Sequence, residues 1–320
     1  MSKYRHRLPQ LNSSMFLTDG GLETTLVFHE GIDLPCFAAF DLLKTREGIE
    51  TLRKYFHTYV EIARRQQVGI VLEAPTWRAN PDWGAKLGYD ARALEDANRT
   101  SIGLLLEVRA ALETPRTPIV ISGNLGPRGD GYKPDARMTI EQAAEYHRPQ
   151  IETFADTDAD MIAAFTMNYV EEAAGIALAA RAARMPLALS FTLETDGRLP
   201  SGDTLAEAIA RVETISEGYP VYYMINCAHP THFEHVLSNL GPLARRVRGL
   251  RANASKRSHA ELDASTSLDI GNPHELGQEY VQLRQYLPAL TVLGGCCGTD
   301  HRHIEAIAYA CSHVEQRATA

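Results

Sequence analysis

Long apolar runs, abundant cysteine and a basic excess are all missing from this 320-residue chain. No run of about 18 apolar residues occurs, so no membrane-spanning helix is expected. The start, MSKYRHRLPQLNSSMFLTDGG, lacks the apolar core of a secretion signal. The expected location is therefore cytoplasmic. Disulfides are not expected there, and the sequon Asn253-Ala254-Ser255 carries no meaning without secretion. The formal charge of −8 argues against a general nucleic-acid or anionic-membrane surface. One basic run, RRVRGLR (245–251), opposes that trend and reads as a solvated helix end leading into a strand. Cysteine is scarce, at five residues, yet two of the five are adjacent in LGGCCGTD (293–300).

Eight short runs are apolar on both faces and rich in Val, Ile or Leu. They lie at 15–21, 69–76, 117–126, 159–167, 186–194, 220–228, 247–255 and 289–297. Parallel strands covered on both sides have this character. Between and after them, helical periodicity marks 48–66, 92–113, 139–157 (with Pro149 as a kink site), 170–184, 202–216, 231–240, 272–287 and 300–316. Thr299 or Asp300 suits the N-cap of the last helix. Eight strands alternating with eight helices predict a (β/α)8 TIM barrel of class α/β. One domain spans 1–320, with its core at about 15–316. A doubly wound open sheet is the alternative. The barrel is preferred because polar residues follow nearly every strand and no single turn carries a phosphate loop.

On that map Cys227 ends strand six, while Cys296 and Cys297 end strand eight. The ends of strands six and eight flank strand seven, so the three thiolates can meet. The two glycines before the pair are expected to remove side chains and permit unusual backbone angles, letting neighbouring cysteines face one ion. Three thiolates leave a tetrahedral zinc one open position and favour zinc over magnesium or calcium. A substrate thiol in that position would be held deprotonated at neutral pH. Buried packing is the ordinary role for lone Cys36 and Cys311. A redox pair at 296–297 is disfavoured because adjacent cysteines form only a strained disulfide.

Several motifs resemble the zinc-dependent homocysteine S-methyltransferase family, which includes S-methylmethionine- and betaine-dependent enzymes. They are LGGCCGT at the end, INCAHP (225–230), TDGGLETTL (18–26), GNLGPRGDGY (123–132) and SFTLETDGRLPSGDTLAEAI (190–209). The resemblance spans about 15–310 in the same order. It implies zinc on Cys227, Cys296 and Cys297, and methyl transfer to homocysteine in methionine biosynthesis. It also implies that Asp19 lines the amino-acid pocket and that the Gly20-Gly21 backbone approaches the substrate carboxylate. Trp77 and Arg78 fall at the donor site, where an indole face can hold a methylated cation. Thr166 and Asn226 complete the substrate-binding candidates. Asn226 has two open roles, a bond to substrate or one to a neighbouring strand.

The sequence departs from the family at one informative place. AAFTMNY (163–169) puts Phe165 where the family keeps a glutamate for the homocysteine amino group. Conversely, Glu23, Glu73 and Glu194 appear near strand ends. A buried carboxylate needs a partner, so Glu23 and Glu73 are expected to face a cation, water or an arginine such as Arg78. Glu23 is the leading substitute for the missing glutamate, and Glu194 reads as a loop residue. His301 and His303 point to different helix faces and read as surface or capping residues. His229 is open to orienting a ligand, although a structural role weighs more, and His232 with His235 lacks a third ligand.

These readings together predict a zinc-dependent S-methyltransferase acting on a small-molecule thiol acceptor and methyl donor. A different thiol or selenol acceptor, a zinc barrel hydrolase and a non-enzymatic metal-binding protein are the alternatives. Neither nucleic acid nor membrane is an expected partner, and the sequence leaves the oligomeric state open.

Overall fold

The computed structural model describes residues 1–12, 14–135 and 137–318. Eight strands form a closed parallel barrel in chain order, with the eighth pairing back onto the first. They are β1 (Phe16–Leu17), β2 (Gly69–Glu73), β3 (Ile119–Leu125), β4 (Met161–Met167), β5 (Leu187–Phe191), β6 (Tyr222–Asn226), β7 (Val247–Ala252) and β8 (Val292–Gly295). Each predicted strand is found, shorter than its apolar run. The barrel is the predicted one, and the open sheet is excluded by closure. No helix among the described residues is long and apolar enough to cross a membrane.

Strand alternation divides the apolar residues into two layers. Phe16, Val71, Val120, Met161, Ala163, Tyr222, Met224 and Val292 fill the barrel interior. Their neighbours Leu17, Ile70, Ile121, Ile162, Leu189, Ile225, Leu250 and Leu293 point outward and pack under the helices. This two-sided burial is why the strands read as continuous apolar runs.

Local signals set the helix ends. Thr45 caps the helix Arg46–Gln66, and Thr139 with Gln142 forms a capping box on Ile140–Ala155, which runs through Pro149 as one helix. Asp300 receives the Arg302 N–H and caps the final helix, His301–Ala318, as expected. The predicted helix at 231–240 is the exception. Only Pro230–Phe233 is α-helical, and Glu234–Arg246 is 3-10 in character, broken at Gly241 (φ 50°) beside Pro242.

Candidate metal and substrate site

The cysteine turns lie where predicted, beyond the ends of β6 and β8, and the chain stitches both to β7. Cys227 N donates to Arg251 O at 3.1 Å, Cys296 N to Ala252 O at 2.8 Å, and Ala254 N to Cys297 O at 3.0 Å. Cys227 adopts φ 55°, which turns its side chain out of strand alternation. The three sulfurs lie within 4.8 Å of one another, the one such His/Cys/Asp/Glu group found among the described residues. The Cys227 and Cys296 sulfurs meet because two flanking strand ends aim at one point, with a Cα separation of 5.4 Å. Cys297 remains a free thiol. In the reduced protein all three are soft donors at one point, a set that fits zinc.

Of the two reasons expected for the glycines, the structure shows the missing side chain and not the unusual backbone angle. Gly294 has no left-handed backbone; a Cβ there would sit 1.7 Å from Thr18 Oγ1. Likewise a Cβ on Gly21 would sit 2.5 Å from Cys296 O. These glycines let the turn after β1 lie directly against the cysteine turn.

Two residues the sequence reading overlooked surround the sulfurs. His259, the first residue of a short helix (His259–Asp263) in the connection after β7, directs Nε2 at Cys227 O and Nδ1 at Glu194 Oε1, the latter at 3.1 Å. Its ring stacks on Tyr132 with centroids 3.9 Å apart. The Tyr132 hydroxyl in turn faces the Cys297 sulfur. Glu194 is therefore not an idle loop residue. Burial, reinforced by the nearby Glu23 carboxylate, pushes the Cys297 thiol up to about 11. The position of His259 in the connection after a barrel strand was its one available sequence signal.

Arg251, the end of the basic run, corrects that run's solvated reading. Its side chain is buried inside the barrel mouth, while Arg246 pairs with Glu213 at 2.9 Å. Arg251 Nη1 donates to Asp19 Oδ1 at 2.5 Å and to Thr18 Oγ1 at 2.9 Å, and Nη2 donates to Gly20 O at 3.0 Å. Tyr55 donates its hydroxyl to Asp19 Oδ2 at 3.0 Å. Both Asp19 oxygens thus have protein partners.

A bulge in β4 between Ala164 and Met167 places Phe165 and Thr166, the latter at φ 61°, together on the cavity wall. Of the two roles left open for Asn226, the structure shows the bond to neighbouring strands. Asn226 Nδ2 donates to Thr166 Oγ1 at 2.9 Å, and its Oδ1 accepts from Thr166 N and Ser190 Oγ.

These groups border a cavity of about 430 Å³. Asp19, Gly20, Gly21, Glu23, Trp77, Thr166, Asn226 and the three cysteines all line it. Glu73 and Glu23 do as well, each pushed up to about 7, chiefly by burial. The guanidinium of Arg78 sits 4.0 Å from the Trp77 ring and 3.7 Å from the Trp83 ring. Arg78 Nη1 donates to Gly129 O at 3.0 Å.

The other histidines keep structural roles. His303 is fully buried, with Nδ1 3.0 Å from Asp300 Oδ1 and Nε2 2.8 Å from Ile270 O. His301 is exposed. His229 caps Pro230–Phe233 through Thr231 and lies 3.3 Å from Glu279, and burial pulls it down to about 4. His232 meets Lys256 O at 2.8 Å.

A family model described as homocysteine S-methyltransferase matches residues 16–311. The chain is 29% identical over 242 residues to the homocysteine S-methyltransferase of Escherichia coli (strain K12), covering 69% of this chain and 74% of that one. It is 25% identical over 317 residues to the selenocysteine Se-methyltransferase of Brassica oleracea var. italica, covering 91% and 87%. The structure superposes on the E. coli homocysteine methyltransferase MmuM in its oxidized form, with TM-score 0.75, 22% identity and coverage of 94% of this chain and 97% of that one. For the metallated form the TM-score is 0.74, again at 22% identity, covering 95% and 98%. That likeness speaks to the fold. The family match runs from the first strand into the last helix and takes in all three clustered cysteines, so this chain is an S-methyltransferase belonging to the homocysteine S-methyltransferase family.

Proposed function

We propose that the protein moves a methyl group from a methylsulfonium or methylammonium donor to the thiol of homocysteine, giving methionine, with zinc held by Cys227, Cys296 and Cys297. The observation that carries this reading is the convergence of three sulfurs within 4.8 Å on the wall of a substrate-sized cavity. When bound, zinc supplies a Lewis-acidic charge that keeps an acceptor thiol deprotonated at neutral pH.

The chain's own residues account for the rest. Asp19, Gly20, Gly21, Thr166 and Asn226 shape the acceptor side of the cavity, held by the Arg251 and Ser190 bonds. Trp77 offers an aromatic surface to the cationic donor, and Glu23 adds negative charge beside Cys297. The acceptor sulfur forms its bond to the methyl carbon as the donor's bond to that carbon breaks. The electron pair leaves with the donor, which departs as a neutral thioether or amine. Holding the two partners about 3–3.5 Å apart and in line supplies much of the rate. Exclusion of water by the buried walls protects the thiolate. The proposed setting is the cytoplasm, where these thiols stay reduced, and the barrel at about 15–316 acts as one domain. A selenol acceptor is a second reading, favoured by similarity to the Brassica enzyme.

The test is zinc content of protein purified under reductant without chelator, then turnover of S-methylmethionine with homocysteine. About one zinc per chain and methionine formation are expected. Replacing Cys227, Cys296 or Cys297 with alanine should abolish both together. Full activity in a zinc-free triple variant would overturn the proposal.

A further inference from the structure

Phe165 leaves the end of β4 without a carboxylate, while the end of β2 brings the cavity one that no protein cation engages. Glu73 is 4% exposed and lines the cavity. Ser122, its register partner on β3, stands beside it, but Oε2 has no hydrogen-bond partner. The neighbouring cation, Arg251, is already committed to Asp19, Thr18 and the Gly20 carbonyl. A buried carboxylate oxygen left unpaired is destabilising unless a ligand brings a donor to it. An ammonium group brings three N–H donors and the opposite charge.

We propose that Glu73 receives the α-ammonium of the amino-acid acceptor, taking over from the position that Phe165 occupies. Phe165 then serves as an apolar wall, packed with Val71, Val120 and Met161 across the same bore. Glu23, half-buried beside Cys297, is the less suitable candidate, because its charge lies next to the sulfurs rather than in the bore. This inference rests on the proposed function, in which the acceptor is an amino-acid thiol.

The experiment compares homocysteine with 4-mercaptobutanoate, the same thiol acid without its amino group. Zinc-loaded protein and S-methylmethionine are used throughout. Wild-type protein should show a KM for homocysteine at least about tenfold below that for 4-mercaptobutanoate, the size of one charged hydrogen bond. In Glu73→Gln that preference should fall below about threefold, with zinc content kept. Glu23→Gln should keep the preference. Equal KM values for the two thiols in wild-type protein overturn the assignment, and need no variant to fold. A preference undiminished in Glu73→Gln, or lost in Glu23→Gln instead, overturns it too while methyl transfer stands. No turnover of either thiol by wild-type protein removes the proposed function and this assignment together.

Discussion

Arg251 and Asp19 form a buried ion pair across the barrel mouth, joining the end of β7 to the turn after β1 at 2.5 Å. The pair closes the seam where β8 meets β1, beside the cysteine turn. Removing one member leaves the other charge buried without its partner. Arg251→Met should therefore lower stability by about 3–5 kcal/mol, read by urea unfolding of the reduced protein. The double variant Asp19→Asn with Arg251→Met should recover much of that loss, because neither charge is then left alone.

His259 reaches the proposed metal site through the Cys227 carbonyl and is itself held by Glu194 and Tyr132. Groups that orient a ligand in this way tune metal retention. His259→Ala should weaken zinc affinity by about 10–100-fold, measured by competition with a chromogenic chelator. His229→Ala should leave zinc affinity unchanged, since its ring is turned to Thr231 and Glu279.

Glu73 also predicts a pH dependence of stability in the substrate-free protein. Its ordinary value is 4.5 and burial raises it to about 7 in the folded chain. Between those values the folded state holds a proton that the unfolded state has released, so stability falls as pH rises through that window. The full effect is roughly 3 kcal/mol above the window and vanishes below it. Glu73→Gln should thus melt higher than wild type at about pH 8 and lose that advantage near pH 4. The raised carboxyls of Glu23 and Glu279 remain in both proteins and cancel in the comparison.

The barrel was legible because burial on both sides of each strand leaves continuous apolar runs, visible at every strand from Phe16 to Gly295. Cys227, Cys296 and Cys297 were legible for a related reason: strand order alone puts their turns on either side of β7. Long-range partners were not. Nothing near position 251 announces that Arg251 meets Asp19, which lies 232 residues away. Its neighbours in RRVRGLR suggested solvent, and only the inward half of the strand alternation could have warned otherwise. His259 was missed because loop length hides which side chains fold back over a barrel mouth. The break at Gly241 likewise overrode an apolar spacing that looked helical.

Arg78 lies against the rings of both Trp77 and Trp83, so the aromatic surface proposed to face the donor already hosts a cation. Burial pulls that guanidinium down only to about 10, and it stays charged at neutral pH. An incoming methylated cation must share Trp77 with this resident charge. A bare quaternary ammonium ion, with nothing else to grip, meets repulsion there. A donor whose remaining groups bind elsewhere in the cavity can tolerate it. On the proposed reading, the chain thus carries its own internal competitor for Trp77.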